Sequence, residues 1–196
     1  MGKLVLTEFL EFSTDSDLLT EAEKKAIKEG EEIYLAGVMQ RAGATNGNGR
    51  IYPKPVLERE VENYQKLVRE GRAVGELDHP ETSVVELKNA SHLVTEIRMD
   101  GDDVVGKIKI LDTPAGKTAI GLLKGGVKLG ISSRGLGSTR QEGGRTIVQE
   151  DFQLVCFDLV SEPSTTGAFM LREGKEPNIF TKADKINRLL NDLVKE

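Results

Sequence analysis

The stretch ASHLVTEIRMDGDDVVGKIKILD, Ala90 to Asp112, decides how the rest of the chain is read. Two runs rich in Val, Ile and Leu flank Asp100-Gly101-Asp102, and an Asp-Gly pair between such runs is a strong short-range hairpin signal. Strands joined this tightly are antiparallel, because a parallel pair needs a long crossover. Towards the C-terminus, TPAGKTAIGLLKGG predicts a short helix opened by Pro114 and closed by Gly125-Gly126. The strand VKLGIS, a glycine-rich loop, the strands RTIVQE and FQLVCFDLV and the breaker SEPSTTG follow. The polar tail then turns amphipathic, with Ile186, Leu189, Leu190 and Leu193 on one side of a helix.

Towards the N-terminus, RAVGELDHPE reads as a short strand running into a turn at His79-Pro80. Before it, Val56, Leu57, Val61, Tyr64, Leu67 and Val68 recur at helical spacing, with Pro55 at the helix entry. AGATNGNGR is a loop, Glu31 to Gln40 a buried strand, Asp17 to Glu29 helix-prone and Lys3 to Phe12 strand-like. No repeat and no regular βαβ alternation is present. The pattern predicts an α+β fold on a mostly antiparallel or mixed sheet, barrel-like or strongly curved.

Composition narrows the function classes. The 196 residues are 38% hydrophobic and 30% charged, with a net charge of -5. An acidic lean argues against nucleic acid as a partner, since phosphate contacts need clustered basic residues. No apolar run approaches the roughly 18 residues of a membrane span, and the N-terminus lacks a signal pattern. Cys156, the single cysteine, lies in the apolar run LVCF and reads as a small buried hydrophobe. These features fit a reducing, cytoplasmic setting. Two histidines and one cysteine cannot assemble a zinc cluster, so neither metal nor cofactor is expected. Asp100, Asp102 and Asp103 are read as a hairpin tip.

The chemistry concentrates in KLGISSRGLGS, Lys128 to Ser138. It lacks the lysine and spacing of a P-loop and the frame of a G-x-S-x-G elbow. Two readings stay open. One is a glycine-rich hairpin without chemistry; the other is a hydroxyl, Ser132 or Ser133, at a strand mouth with a donor-rich loop behind it. His79 precedes Pro80, which keeps it out of helical geometry, and is either a base or a surface turn residue. His92 lies inside a strand and reads as structural. Asp158 interrupts the apolar strand VCFDLV; it is either paired in the interior or sent to solvent by alternation.

The segments NGRIYP (Asn48 to Pro53), GELDHP (Gly75 to Pro80), DVVGKIKILDTPAGK (Asp103 to Lys117), GISSRGLGS (Gly130 to Ser138) and FDLVSEPS (Phe157 to Ser164) carry a family resemblance. The chain resembles the prohead core proteases of large tailed bacteriophages, which mature the immature capsid and are distant relatives of the herpesvirus assembly protease. GELDHP and GISSRGLGS in that order are specific as a pair. The resemblance implies a herpesvirus-protease-like fold, a serine endopeptidase, His79 as general base and Ser132 as nucleophile, ahead of Ser133. Asp158 is the implied orienting acid, with His92 its rival because the herpesvirus relatives use a second histidine. Backbone donors around Ser133, Arg134 and Gly135 would form the oxyanion hole, and Arg134 would position a water or substrate carbonyl.

The same resemblance implies scaffold and capsid proteins as substrates, a homo-oligomer, and action inside the prohead in the host cytoplasm. A non-catalytic capsid-assembly component of the same fold is the alternative. It also implies cleavage after Glu in apolar-x-Glu contexts, including self-cleavage. Candidates are Leu6-Thr7-Glu8, Leu19-Thr20-Glu21, Ile27-Lys28-Glu29 and Leu171-Arg172-Glu173, expected in exposed terminal segments. The organisation that follows is a removable segment over 1–30, a protease domain over 31–172 and a helical tail over 173–196.

Overall fold

The computed structural model describes residues 4–11, 18–29, 32–80 and 82–161. In chain order the strands are β1 (Leu4–Glu11), β2 (Tyr34–Arg41), β3 (Arg50–Ile51), β4 (Val74–Glu76), β5 (Ala90–Asp100), β6 (Asp103–Ile110), β7 (Gly130–Gly137), β8 (Thr139–Glu142), β9 (Arg145–Val148) and β10 (Gln153–Val160). The helices are α1 (Glu21–Glu29), α2 (Lys54–Arg69) and α3 (Pro114–Lys124). The expected β5–β6 hairpin is present: Asp100 faces Asp103, and Gly101 takes the positive φ of 63° that the tight turn demands.

That hairpin is the centre of a four-stranded sheet in the order β2-β6-β5-β4. A second sheet has the order β1-β7-β10, and a small third has β3-β9-β8. All ladders are antiparallel except β3 with β9. The two larger sheets meet where Leu77, just past β4, makes a single parallel bridge to Leu159 in β10. The fold is α+β, and its described ladders do not close into a barrel. At that junction β4 is three residues long and Asp78 at φ 71° turns the chain away after one bridge, while at the other edges no described ladder joins β1 to β2.

Helix α2 buries the stripe Val56, Leu57, Val61 and Tyr64, while Leu67 and Val68 pack on its margin. Its partners include Val94, Ile97, Phe157 and Leu159, and the Tyr64 ring meets the Phe157 ring edge-on at 5.6 Å. Each such fully buried side chain contributes about 1.5–3 kcal/mol. Helix α3 starts as predicted at Pro114, where the Thr113 hydroxyl caps the Gly116 N–H at 3.1 Å. It ends at Gly125, with Gly126 at φ 86°.

The glycine-rich stretch corrects the sequence reading. It is not a loop: Gly130–Gly137 is one continuous strand, paired with β1 on one side and β10 on the other. Gly135 and Gly137 serve close approach rather than flexibility. A Cβ on Gly135 would lie 2.4 Å from the Phe152 ring and 2.6 Å from the Gln153 carbonyl oxygen. In the N-terminal segment, β1 runs the length of β7, with Phe9 opposite Ser132. The SEPSTTG breaker beyond Ser161 and the amphipathic tail lie outside the described residues.

Candidate active site

Two neighbouring strands and one turn build the site. Ser132 and Arg134 project from one face of β7, as alternation requires, and Asp158 and Cys156 stand opposite them on β10. Ser133 belongs to the other face, which it shares with Ile131, Phe157 and Leu159 of the core. Beyond β4, Asp78 adopts its left-handed conformation and accepts the His79 N–H at 3.0 Å. The Asp78 N–H donates to the Leu159 carbonyl at 2.6 Å. These bonds fix the turn so that the imidazole of His79 reaches over Ser132 and Asp158.

The Ser132 Oγ lies 2.6 Å from His79 Nε2, and His79 Nδ1 lies 2.9 Å from Asp158 Oδ2. An ionised carboxylate can only accept, so Nδ1 carries the proton and Nε2 is left to accept the serine hydroxyl. Ser132 and Asp158 are buried, while the His79 side chain keeps 25% of its surface. Asp158 is wholly inside, so the solvent-facing alternative does not hold. Its Oδ1 accepts the Glu76 N–H at 3.1 Å, Arg134 Nη2 at 3.2 Å and the Cys156 thiol at 3.3 Å; its Oδ2 also accepts Arg134 Nε at 2.8 Å. Burial alone would raise its pKa, but His79, Arg134 and the Glu76 N–H outweigh that and hold it below the usual carboxylate range. Burial pushes the Cys156 thiol far up, in keeping with a buried, unreactive cysteine.

His92 takes no part in this chain. It is fully buried on β5, donates from Nε2 to the Phe157 carbonyl at 3.0 Å and accepts from the Ser91 hydroxyl at Nδ1, 2.8 Å. Burial pushes it down to about 4, so it stays neutral and ties the two larger sheets together. Its ring passes directly over Gly75, where a Cβ would fall 2.3 Å from Nε2.

The expected oxyanion loop is not found. Ser133, Arg134 and Gly135 lie within β7 between two ladders, where backbone groups are committed to strand pairing. The Arg134 guanidinium, expected near a water or substrate, is fully buried and turned onto Asp158 and Glu76. Sequence reading missed Glu76, which is also fully buried. The signal available was a carboxylate between Gly75 and Leu77 in a short strand, the same anomaly that marked Asp158.

Three of the four candidate self-cleavage sites lie in or at the start of regular structure, with Thr20, Glu21 and Glu29 exposed. Leu6-Thr7-Glu8 is paired in β1, and Ile27-Lys28-Glu29 ends helix α1. Leu19-Thr20-Glu21 opens that helix, with Leu19 buried and Thr20 capped by Glu23 at 2.8 Å. Leu171-Arg172-Glu173 lies outside the described residues.

A hydroxyl, an imidazole in the accepting tautomer and a buried carboxylate, linked in that order, can perform nucleophilic acyl transfer. That is the equipment of a serine hydrolase. The chain belongs to the prohead core protein serine protease family, whose model matches residues 11–179. It is 33% identical over 174 residues to the prohead core protein protease of Enterobacteria phage T4, covering 84% of this chain and 82% of that one. Among solved structures it is similar to the bacteriophage T4 capsid assembly protease, with a TM-score of 0.67 and 28% identity over 82% of this chain and 99% of that chain. The enzyme is therefore a serine peptidase of the prohead type.

Proposed function

We propose that this chain is an endopeptidase in which Ser132 attacks, His79 is the general base and acid, and Asp158 orients His79. The observation that carries the reading is the pair of contacts Ser132 Oγ to His79 Nε2 and His79 Nδ1 to Asp158. As Ser132 Oγ bonds to the scissile carbonyl carbon, its proton passes to Nε2. His79 becomes an imidazolium stabilised by the Asp158 carboxylate, and then gives the proton to the leaving amine. Water enters by the same route, losing a proton to His79, and releases the acyl group. The distant kinship with the herpesvirus assembly protease belongs to this proposal, with a carboxylate here where those relatives use a second histidine.

The substrates proposed are phage scaffold and capsid proteins, cut inside the prohead after Glu in apolar-x-Glu contexts; what supports this is family membership. Removal of residues 1–30 and of 173–196 is part of the same reading. For the N-terminal sites it requires local unfolding first, because a protease needs an extended chain and β1 and α1 are hydrogen-bonded. The test is cleavage of a peptide containing Ile-x-Glu by the wild type, Ser132→Ala and His79→Ala. Each variant should lose at least about 10,000-fold in kcat/KM, and an Ile-x-Gln peptide should resist the wild type. Equal cleavage by all three proteins would reject the reading.

A further inference from the structure

We propose that Glu76 and Arg134 are positioning residues of this site, a buried ion pair that aims Asp158 at His79 and sets the charge the imidazole faces. The inference rests on the Ser132–His79–Asp158 reading and extends it to two residues that act through Asp158.

Arg134 grips the carboxylate as a fork, Nε to Oδ2 at 2.8 Å and Nη2 to Oδ1 at 3.2 Å, which leaves Asp158 no freedom to rotate away from His79. Arg134 Nη2 also donates to Glu76 Oε2. Arg134 Nη1 donates to the Thr82 carbonyl at 2.6 Å, and Glu76 Oε1 accepts the Glu86 N–H at 3.1 Å. His79 lies in the chain between Glu76 on one side and Thr82 and Glu86 on the other. One ion pair therefore clasps both ends of the turn that carries the base, and ties that turn to the acid. Glu76 acts a second time through its own N–H, which donates to Asp158 Oδ1. A lysine could supply the charge at position 134 but not the fork.

The charge count matters as much as the geometry. Glu76, Arg134 and Asp158, all fully buried, sum to one negative charge facing the imidazole. Among the described residues, Asp78 accepts the His79 backbone N–H, Cys156 donates to the same Asp158 carboxylate, and Glu86 and Lys88 pair with each other beyond the turn. His92 on β5 and Tyr64 on α2 feel Asp158 and remain neutral. Removing the cation leaves two negative charges, which favours imidazolium; removing Glu76's charge leaves none, which disfavours it. The two substitutions must therefore move His79 in opposite directions. A pair whose charges did not reach the imidazole would not do this.

The chain has two histidines, and His92 titrates near 4, so the His79 ring signal can be followed alone by NMR. The full-length protein carrying Ser132→Ala is the background, so turnover plays no part in the readout. Arg134→Met should raise the His79 midpoint by about half a pH unit or more, and Glu76→Gln should lower it by a similar amount. The double variant, again with one negative charge, should return towards the starting value. On the Ser132 enzyme each single variant should reduce kcat/KM roughly 10- to 100-fold, as loss of an orienting partner does. The inference is overturned if both midpoints stay put or move the same way. Should Arg134→Met fail to fold, Glu76→Gln, which keeps the side-chain shape, decides alone. A Ser132→Ala protein that still cleaves peptide would instead sink the triad reading, independently of the titration.

Discussion

Asp158 shows how much one buried carboxylate can organise. It accepts five hydrogen bonds from His79, Glu76, Arg134 and Cys156, so every lone-pair direction is used. Asp158→Asn keeps the shape but offers an N–H where His79 needs an acceptor. The imidazole then favours the wrong tautomer, and kcat should fall about 10,000-fold while the protein stays folded; a loss below 10-fold would contradict the assigned role. Ser133 provides the opposite control. Its hydroxyl is buried on the core face without a hydrogen-bond partner among the described residues, so Ser133→Ala should leave activity within a few-fold and stability equal or higher. Loss of activity in that variant would move the nucleophile. Gly75 is constrained by its neighbours rather than by its own φ. A Cβ there would sit 2.0 Å from the Phe157 carbonyl oxygen and 2.3 Å from the His92 ring, so Gly75→Ala should cost about 1–3 kcal/mol. A thermal midpoint equal to the wild type's would show that the two sheets can part at no cost.

The elements show which parts of the architecture local chemistry specifies. The β5–β6 hairpin, the α2 stripe and the α3 caps were legible because turn residues, period and caps act within a few residues of each other. The strand β7 was not, since three glycines in eight residues mimic a loop until Phe152 is known to lie across Gly135 and Gly137. The same holds for the site. Ser132, His79 and Asp158 stood out in the sequence as anomalies of type, namely a serine read at a strand mouth that in fact lies within β7, a histidine before proline and a carboxylate in an apolar run. The role of Arg134 was misread and Glu76 was missed, because their meaning lies in a pairing across 58 positions of sequence. β1 had been read as a removable segment, yet it covers one edge of the strand that carries Ser132. Deleting residues 1–11 should therefore lower the denaturation midpoint and expose β7 to unwanted pairing; an unchanged midpoint and a monodisperse protein would show β1 to be dispensable.

At the scale of the molecule, the site sits where the two larger sheets meet, and the groups that join them make the junction sensitive to pH. His92 titrates near 6.5 when unfolded and near 4 when folded. Below about 6.5 the unfolded chain takes up a proton that the folded protein refuses, so stability falls as pH drops from 6.5 towards 4, by up to about 3 kcal/mol. Asp158, depressed in the fold, adds a further loss at still lower pH, as the pH falls through its folded pKa. Urea denaturation of Ser132→Ala protein at pH 7 and pH 4.5 should show that fall, and equal midpoints would refute it. The central claim, that Ser132 is the nucleophile held by His79 and Asp158, is tested most directly by trapping the covalent step. The active enzyme is treated with a fluorophosphonate, digested with trypsin, and the peptide spanning Leu129 to Arg134 is fragmented by mass spectrometry. The adduct should lie on Ser132 and be absent from the His79→Ala protein; an adduct on Ser133, or labelling undiminished without His79, would contradict the account.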